Sequence, residues 1–373
     1  LETVEGTESG VGIRVRDRAR RGEGFVAATF AADTSPVEAL VRRALDDALH
    51  APTTSSVWRD APVERSDIDS NSTLPSSEAL AAWLSRAWGF LADRVKEADA
   101  TSPRPSAWVE TAETTEVLLD DLGTRALRSR RRAWAMALFR GRALADAPER
   151  PRFLVARDFD SLDAGTWAED FDESPGPTRL PERPPALPWV LTPQAAAQLL
   201  PSLAAVVHAP GRRPGGRVGP GWRLFDDPTH ERGLVGGTFD DLGFDAGRLE
   251  LADGEVVRRS LDGPGTFRRP SYRDRPEPHP TTLVLEPPDA GRPEQYYRVQ
   301  AIRLHPLRGD RWILELDGVR READAGVEAF QGARAAVSPQ ALVEACIGGV
   351  GAPRAAGWGV VTPGLVFEGL RLE

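Results

Sequence analysis

The chain has 373 residues, 40% of them hydrophobic and 28% charged, which is enough apolar material for two sizeable cores. It contains no apolar run of about 18 residues, the length a membrane span needs. Its formal net charge of −9 at pH 7 argues against nucleic acid or a membrane surface as the main partner, because both call for a basic face.

Residues 11–30 alternate apolar and polar side chains on either side of a polar, Gly-bearing turn, which predicts a hairpin. Ser35, Pro36 and Glu38 form a capping-box signature ahead of a helix whose Val37, Leu40, Val41, Ala44, Leu45 and Ala48 share one face. Residues 51–77 are rich in Ser, Thr, Pro and Asp and read as a loop. Residues 77–98 form the longest clear helix, with Leu80, Trp83, Leu84, Ala87, Trp88 and Leu91 on its buried side. Three strand-like segments follow, at 107–120, 124–130 and 132–142, and are expected to form a meander that extends the first sheet. Trp134, Met136 and Leu138 mark the buried face of the last of these, and the arginines of 125–140 read as a solvated strand end.

The proline-dense segment 173–188 is the expected domain boundary, because proline restricts the chain and ends regular pairing. After it, Thr192 and Pro193 open the most apolar helix, within the stretch 191–210, which carries Pro201 in its interior. An interior proline removes one helical hydrogen bond and predicts a kink or break, at about 3 kcal/mol if the helix stays continuous. The remainder is strand-rich, with turns at Asp253-Gly254 and Gly309-Asp310. The expected fold class is α+β. An N-terminal mixed sheet with packed helices (1–180) precedes a β-rich, barrel- or sandwich-like domain (186–373) that contains the apolar helix.

The histidines, His50, His208, His230, His279 and His305, include no pair at helical ligand spacing. His230-Glu231 begins like a zinc-peptidase motif, but Leu234 and Val235 stand where a second ligand is needed, so the stretch reads as a polar loop. His208 reads as a C-terminal cap, and His279 and His305, each before a proline, as turn residues. Asp226-Asp227 and Asp240-Asp241 read as turns. The single cysteine, Cys346, excludes an internal disulfide and a multi-cysteine zinc site, reads as a small buried residue, and fits a reducing, cytoplasmic compartment. No secretory signal is visible, and Leu1 stands in a strand-forming region, so the natural N-terminus is expected upstream.

Several segments in order, "EGTESGVGIRV", "GFVAATF", "VLTPQAAAQLL", "LFDDPTHERGLVGGTFDDLGF" and "GVVTPGLVFEGLRL", resemble the TldD/PmbA (TldD/TldE) family, most specifically through the "FDD" pairs. The resemblance implies a cytoplasmic assembly of two related subunits acting on unfolded peptides. The TldD type carries HExxxH and binds zinc; the TldE type lacks the motif and completes the chamber. Aligned on the Leu-Leu pair of the apolar helix, the motif falls on residues 201–206, where Pro201 stands for the first ligand, Ser202 for the general base and Val206 for the second ligand. Those side chains supply neither zinc ligands nor a base. The implied protein is therefore a non-catalytic TldE-like subunit with no cofactor of its own, the zinc lying in a TldD-like, HExxxH-bearing paralogue. Cys346 lies in a Gly-rich segment similar to the TldD-type cysteine region, which keeps open an active peptidase with ligands from Cys346, His208, His230 and Glu231. A peptide-binding scaffold without proteolysis, and self-association instead of a heterodimer, are also open.

Overall fold

The computed structural model describes residues 6–17, 22–29, 37–50, 61–68, 74–95, 106–139, 150–157, 159–164, 180, 184–207, 221–234, 236–254, 256–257, 261, 263–269, 273–274, 276–307, 311–322, 326–357 and 359–372. The fold is α+β. β1 (Gly10–Asp17) and β2 (Gly22–Thr29) form the predicted antiparallel hairpin, Gly10 facing Thr29. Helix α1 (Val37–His50) lies on it through Leu40 and Ala44, packed against Val26. Leu45, expected on the buried face, is 42% exposed, as is Leu49 one turn on, because the two-stranded hairpin is too narrow to cover a wider stripe. Gly24 allows this close approach: a Cβ there would lie 1.7 Å from the Ala44 carbonyl oxygen. The capping residues Ser35 and Pro36 lie outside the described residues.

The stretch read as a loop holds β3 (Glu64–Ile68), a strand too short and polar to show a period. Ser76 caps helix α2 (Ser77–Val95), its hydroxyl accepting from the Ala79 N–H at 3.3 Å. α2 buries Trp83 and Ala87, and the Trp83 indole N–H donates to the Leu162 carbonyl at 2.8 Å; Trp88 is 36% exposed. β4 (Ser106–Leu119) pairs in register with β5 (Arg125–Phe139), one continuous strand where two had been expected. β3 adds in parallel to β5, and β6 (Arg150–Ala156) antiparallel to its far half. These four strands form a sheet separate from the hairpin, so the expected extension of the first sheet is not what forms. The buried positions of β5 are Ala126 and Arg128 on one face and Ala133 and Ala135 on the other; Trp134, on the face of Arg128, meets Trp108 edge-on at 6.2 Å.

The rest of the chain builds one ten-stranded sheet. Its strands are β7 (Trp189–Leu191), β8 (Trp222–Asp226), β9 (Leu249–Gly254), β10 (Val256–Val257), β13 (Leu283–Glu286), β14 (Tyr296–Pro306), β15 (Trp312–Glu322), β16 (Gly326–Val337), β17 (Cys346–Ala355) and β18 (Val360–Phe367). The order is β10-β9-β8-β13-β18-β7-β14-β15-β16, with β17 paired to β18. β11 (Phe267–Arg268) and β12 (Glu277–Pro278) make a small ribbon beside it. The turn at Asp253-Gly254 falls where predicted, between β9 and β10, and Gly309-Asp310 lies outside the described residues, between the antiparallel β14 and β15. β18 sits at the centre, buried at every position.

Helix α3 (Pro193–Val207) covers the sheet, and its Leu199, Leu200 and Leu203 enter the main core with Trp189, Tyr297, Phe330 and Phe367. Thr192 caps it, its hydroxyl accepting from the Ala195 N–H. Gln198 accepts from the Ile302 N–H at 2.7 Å and fastens the helix to β14 beside the bulge at Val299/Ala301. The helix runs on through Pro201, so the expected break does not occur. Pro201 is exposed, whereas burial of three leucines contributes about 1.5–3 kcal/mol each, which outweighs the single lost bond. Helix α4 (Pro339–Ala345), capped by Ser338, leads into β17.

Candidate functional site

Of the arginines expected at a solvated strand end, Arg125 and Arg132 are exposed and Arg130 and Arg131 half-buried, whereas Arg128 is interior, at the seam between the four-stranded sheet and the 226–268 segment. The Arg128 side chain is 4% exposed. Its Nε donates to Glu116 Oε2 at 2.6 Å, its Nη2 to Glu116 and to Asp241 Oδ1 at 2.5 Å, and its Nη1 to the Phe239 carbonyl at 3.3 Å. The guanidinium also stands 5.3 Å from the Phe239 ring centre. Burial raises the carboxyl pKa of Asp241, but the charge and hydrogen bond of Arg128 more than offset it, and the net direction is down. Arg65 of β3 pairs with Asp245 across the same seam.

The acidic pairs are turn anchors, as expected, and each carboxylate is used. Asp226 accepts from the Thr281 and Thr282 N–H groups at 2.7 and 2.9 Å. Asp240 accepts from Leu242, Phe244 and Gly265 at 2.8–2.9 Å. Burial is the larger influence on both, so their pKa values are raised despite these donors. Gly265 adopts φ +89°, and a Cβ there would lie 2.5 Å from the Asp245 carbonyl oxygen, so this turn requires glycine. Asp227 accepts from the Thr229 N–H and hydroxyl and shapes the 228–238 loop.

That loop closes a cavity of about 300 Å³ against β3, β5 and Arg157. Arg130, Arg131, Arg157 and His230 line it, together with Asp67, whose Oδ2 accepts from the Thr238 N–H at 2.9 Å. The loop depends on close backbone approach, since a Cβ at Gly236 would lie 2.0 Å from the Pro228 carbonyl oxygen. Sequence reasoning missed this site; the available signal was the density of glycine at 233–237 together with the arginine run of β5.

The other sequence candidates lie apart from one another. Pro201 is exposed and Ser202 half-buried on α3; Val206 is in the same helix. Pro201 and Val206 have no donor atom and Ser202 only a neutral hydroxyl, so the three positions do not fit zinc. Cys346 is fully buried in the main core, its thiol donating to the Gly348 carbonyl at 3.8 Å and its pKa pushed up to about 12 by burial. His230 and Glu231 lie in the 228–238 loop, and His208 lies outside the described residues. Among the described residues no three His, Cys, Asp or Glu side chains are grouped to share a metal ion. His305, expected in a turn, is in β14 opposite Ile313, with Nε2 3.6 Å from Glu315. His279 is in a connection, its Nδ1 2.7 Å from the Pro280 carbonyl oxygen. No described helix is long and apolar enough to cross a membrane.

No family model matches the sequence, nor does any curated protein. Solved structures do match. A candidate modulator of a DNA gyrase from Thermotoga maritima superposes with a TM-score of 0.72 at 14% identity, over 98% of this chain and 89% of that one. A second candidate gyrase modulator, from Bacteroides thetaiotaomicron, gives 0.67 at 13% identity over 98% and 92%. TldE from Thermococcus kodakarensis gives 0.70 at 15% identity over 95% and 88%. The two halves of the chain, with the seam between them, thus have the fold of TldE and of these two proteins.

Proposed function

We propose that this chain is a TldE-like member of the TldD/TldE family. In this reading it is a non-catalytic subunit that completes the substrate chamber of a heterodimeric metallopeptidase for unfolded peptides in the cytoplasm. The observation that carries the reading is the likeness to TldE over 95% of the chain. The side chains of α3 support it: where a TldD-like chain has two ligands and a base, Pro201, Ser202 and Val206 offer none. The zinc and the chemistry then belong to the HExxxH-bearing paralogue, and this chain contributes shape. Exposed apolar side chains on three elements, Leu45, Leu49, Trp88, Val117 and Leu119, supply surface that a partner would cover.

The test is co-expression with an HExxxH-bearing paralogue from the same genome, followed by size-exclusion chromatography with light scattering, zinc analysis and an unfolded-peptide cleavage assay. A stable pair that cleaves peptide, with about one zinc carried by the paralogue and an inert isolated chain, supports the reading. Cleavage by the isolated chain, abolished by a chelator, refutes it in favour of an active peptidase using Cys346, His208, His230 and Glu231. A monomer that ignores every such paralogue also refutes it and leaves the peptide-binding scaffold. The active-peptidase alternative draws no support from the geometry, since Cys346 is in the main core, His230 and Glu231 are in the 228–238 loop, and no three ligating side chains are grouped among the described residues.

A further inference from the structure

The cavity at the seam is bordered by a cation, Arg130, two of whose guanidinium nitrogens no hydrogen bond of the fold uses, although the charges of Glu116 and Asp241 attract it. Arg128 is held by Glu116 and Asp241, and Arg131 faces Glu113 at 3.3 Å. Arg130 stands between them on β5, and its Nε and Nη2 are buried with no hydrogen-bond partner. Burial and then the neighbouring charge of Arg128 bring its pKa down to about 10, so the folded protein holds this charge at a cost. A chain that only needed to fill this space would do better with an apolar side chain.

We infer that the seam cavity is a binding site for a carboxylate group, with Arg130 as its cationic partner. A guanidinium suits either a carboxylate or a phosphate. The walls decide between them. Loop N–H groups that a phosphate would need are committed: Gly233 donates to the His230 carbonyl, Gly237 to the Pro228 carbonyl and Thr238 to Asp67. The Asp67 carboxylate in the same wall opposes a doubly charged ligand more strongly than a singly charged one. His230 adds a donor, because its Nδ1 accepts from the Arg232 N–H at 3.1 Å, which leaves the ring proton on Nε2. At about 300 Å³ the cavity takes a carboxylate with a short chain attached. A small free carboxylic acid and the C-terminus of a peptide present the same group; the second source rests on the peptidase-subunit reading above.

The test is calorimetric titration of the full chain with succinate, an N-acetylated tripeptide acid and the same tripeptide as its C-terminal amide. The acid form of the tripeptide is expected to bind about tenfold or more tighter than the amide, and Arg130→Gln to erase that difference while Arg130→Lys keeps part of it. Thr238→Phe, which fills the cavity from an exposed wall and leaves the arginines themselves in place, is expected to erase it too, and decides the matter if Arg130→Gln does not fold. Binding of succinate alone, lost in both variants, supports the site and assigns it to small acids. Equal binding of acid and amide with none of succinate overturns the inference, as does carboxylate binding unchanged in both variants. The isolated chain suffices for these titrations, so failure to associate with a motif-bearing paralogue would sink the subunit reading without touching this result.

Discussion

Replacing Arg128 with Met removes the cation at the seam but keeps most of its length. The Asp241 side chain, 3% exposed, then loses the cation it is hydrogen-bonded to and keeps the Arg269 N–H at 2.6 Å and the nearby charges of Arg268 and Arg269. Glu116 is 28% exposed and can turn to water, so the penalty concentrates on Asp241. Breaking one partner of a buried ion pair costs about 3–5 kcal/mol. Relief of the repulsion between Arg128 and Arg130 offsets a fraction of this, placing the expected loss near the lower end of that range. Equilibrium urea denaturation followed by tryptophan fluorescence measures it, within a cycle of Arg128→Met, Asp241→Asn and the double variant. The double variant is expected to cost less than the sum of the singles by about 1.5 kcal/mol or more, because the stranded charge is then gone. Additivity within about 0.5 kcal/mol, or a single Arg128→Met variant as stable as the parent, would refute the seam as an electrostatic joint.

Pro201→Ala restores a helical donor at an exposed position of α3 and is expected to stabilise the fold by up to about 3 kcal/mol; a lower urea midpoint would contradict this. The folded pKa of Asp241 is depressed, so its contribution is complete above the unfolded carboxylate pKa of about 3.9 and is lost as pH falls through the folded value. Asp226 and Asp240, raised by burial, act in the opposite sense, losing stability as pH rises through their folded values. Asp241→Asn should therefore flatten the acid limb of the stability–pH curve, and an unchanged limb would refute the assignment. The Cys346 thiol, interior and with its pKa pushed up to about 12, is expected to resist Ellman's reagent at pH 8 in the native protein and to react on unfolding in urea. Rapid stoichiometric reaction of the native chain would show the thiol to be accessible.

Elements whose signal is local were legible in the sequence. The β1–β2 hairpin, both long N-terminal helices, the cap at Thr192 and the turn at 253–254 all rest on residues within a few positions of one another. Elements that depend on a distant partner were not. β3 has only five residues and exists because β5 offers it an edge. α3 survives its proline because the main core holds three of its leucines, and Leu45 stays exposed because the hairpin beneath α1 has only two strands.

The arginines of β5 show the same limit at the candidate site. In the sequence, four arginines within five residues, 128 and 130–132, look solvated, because an isolated strand could not bury them. Of the four, Arg128 is buried, and what makes its burial possible is Asp241, 113 positions further on, brought to it by the second half of the chain. No local window holds that information. The same fact constrains how the molecule holds together: the face of β5 that carries Arg128 is satisfied only when the 226–268 segment is seated on it. Docking of the two halves is therefore coupled to completion of the cavity wall, since β3 and β5 supply Asp67 and Arg130 while the docked segment supplies His230 and Thr238. A change that loosens the Arg128–Asp241 joint should accordingly weaken carboxylate binding even though neither side chain lines the cavity.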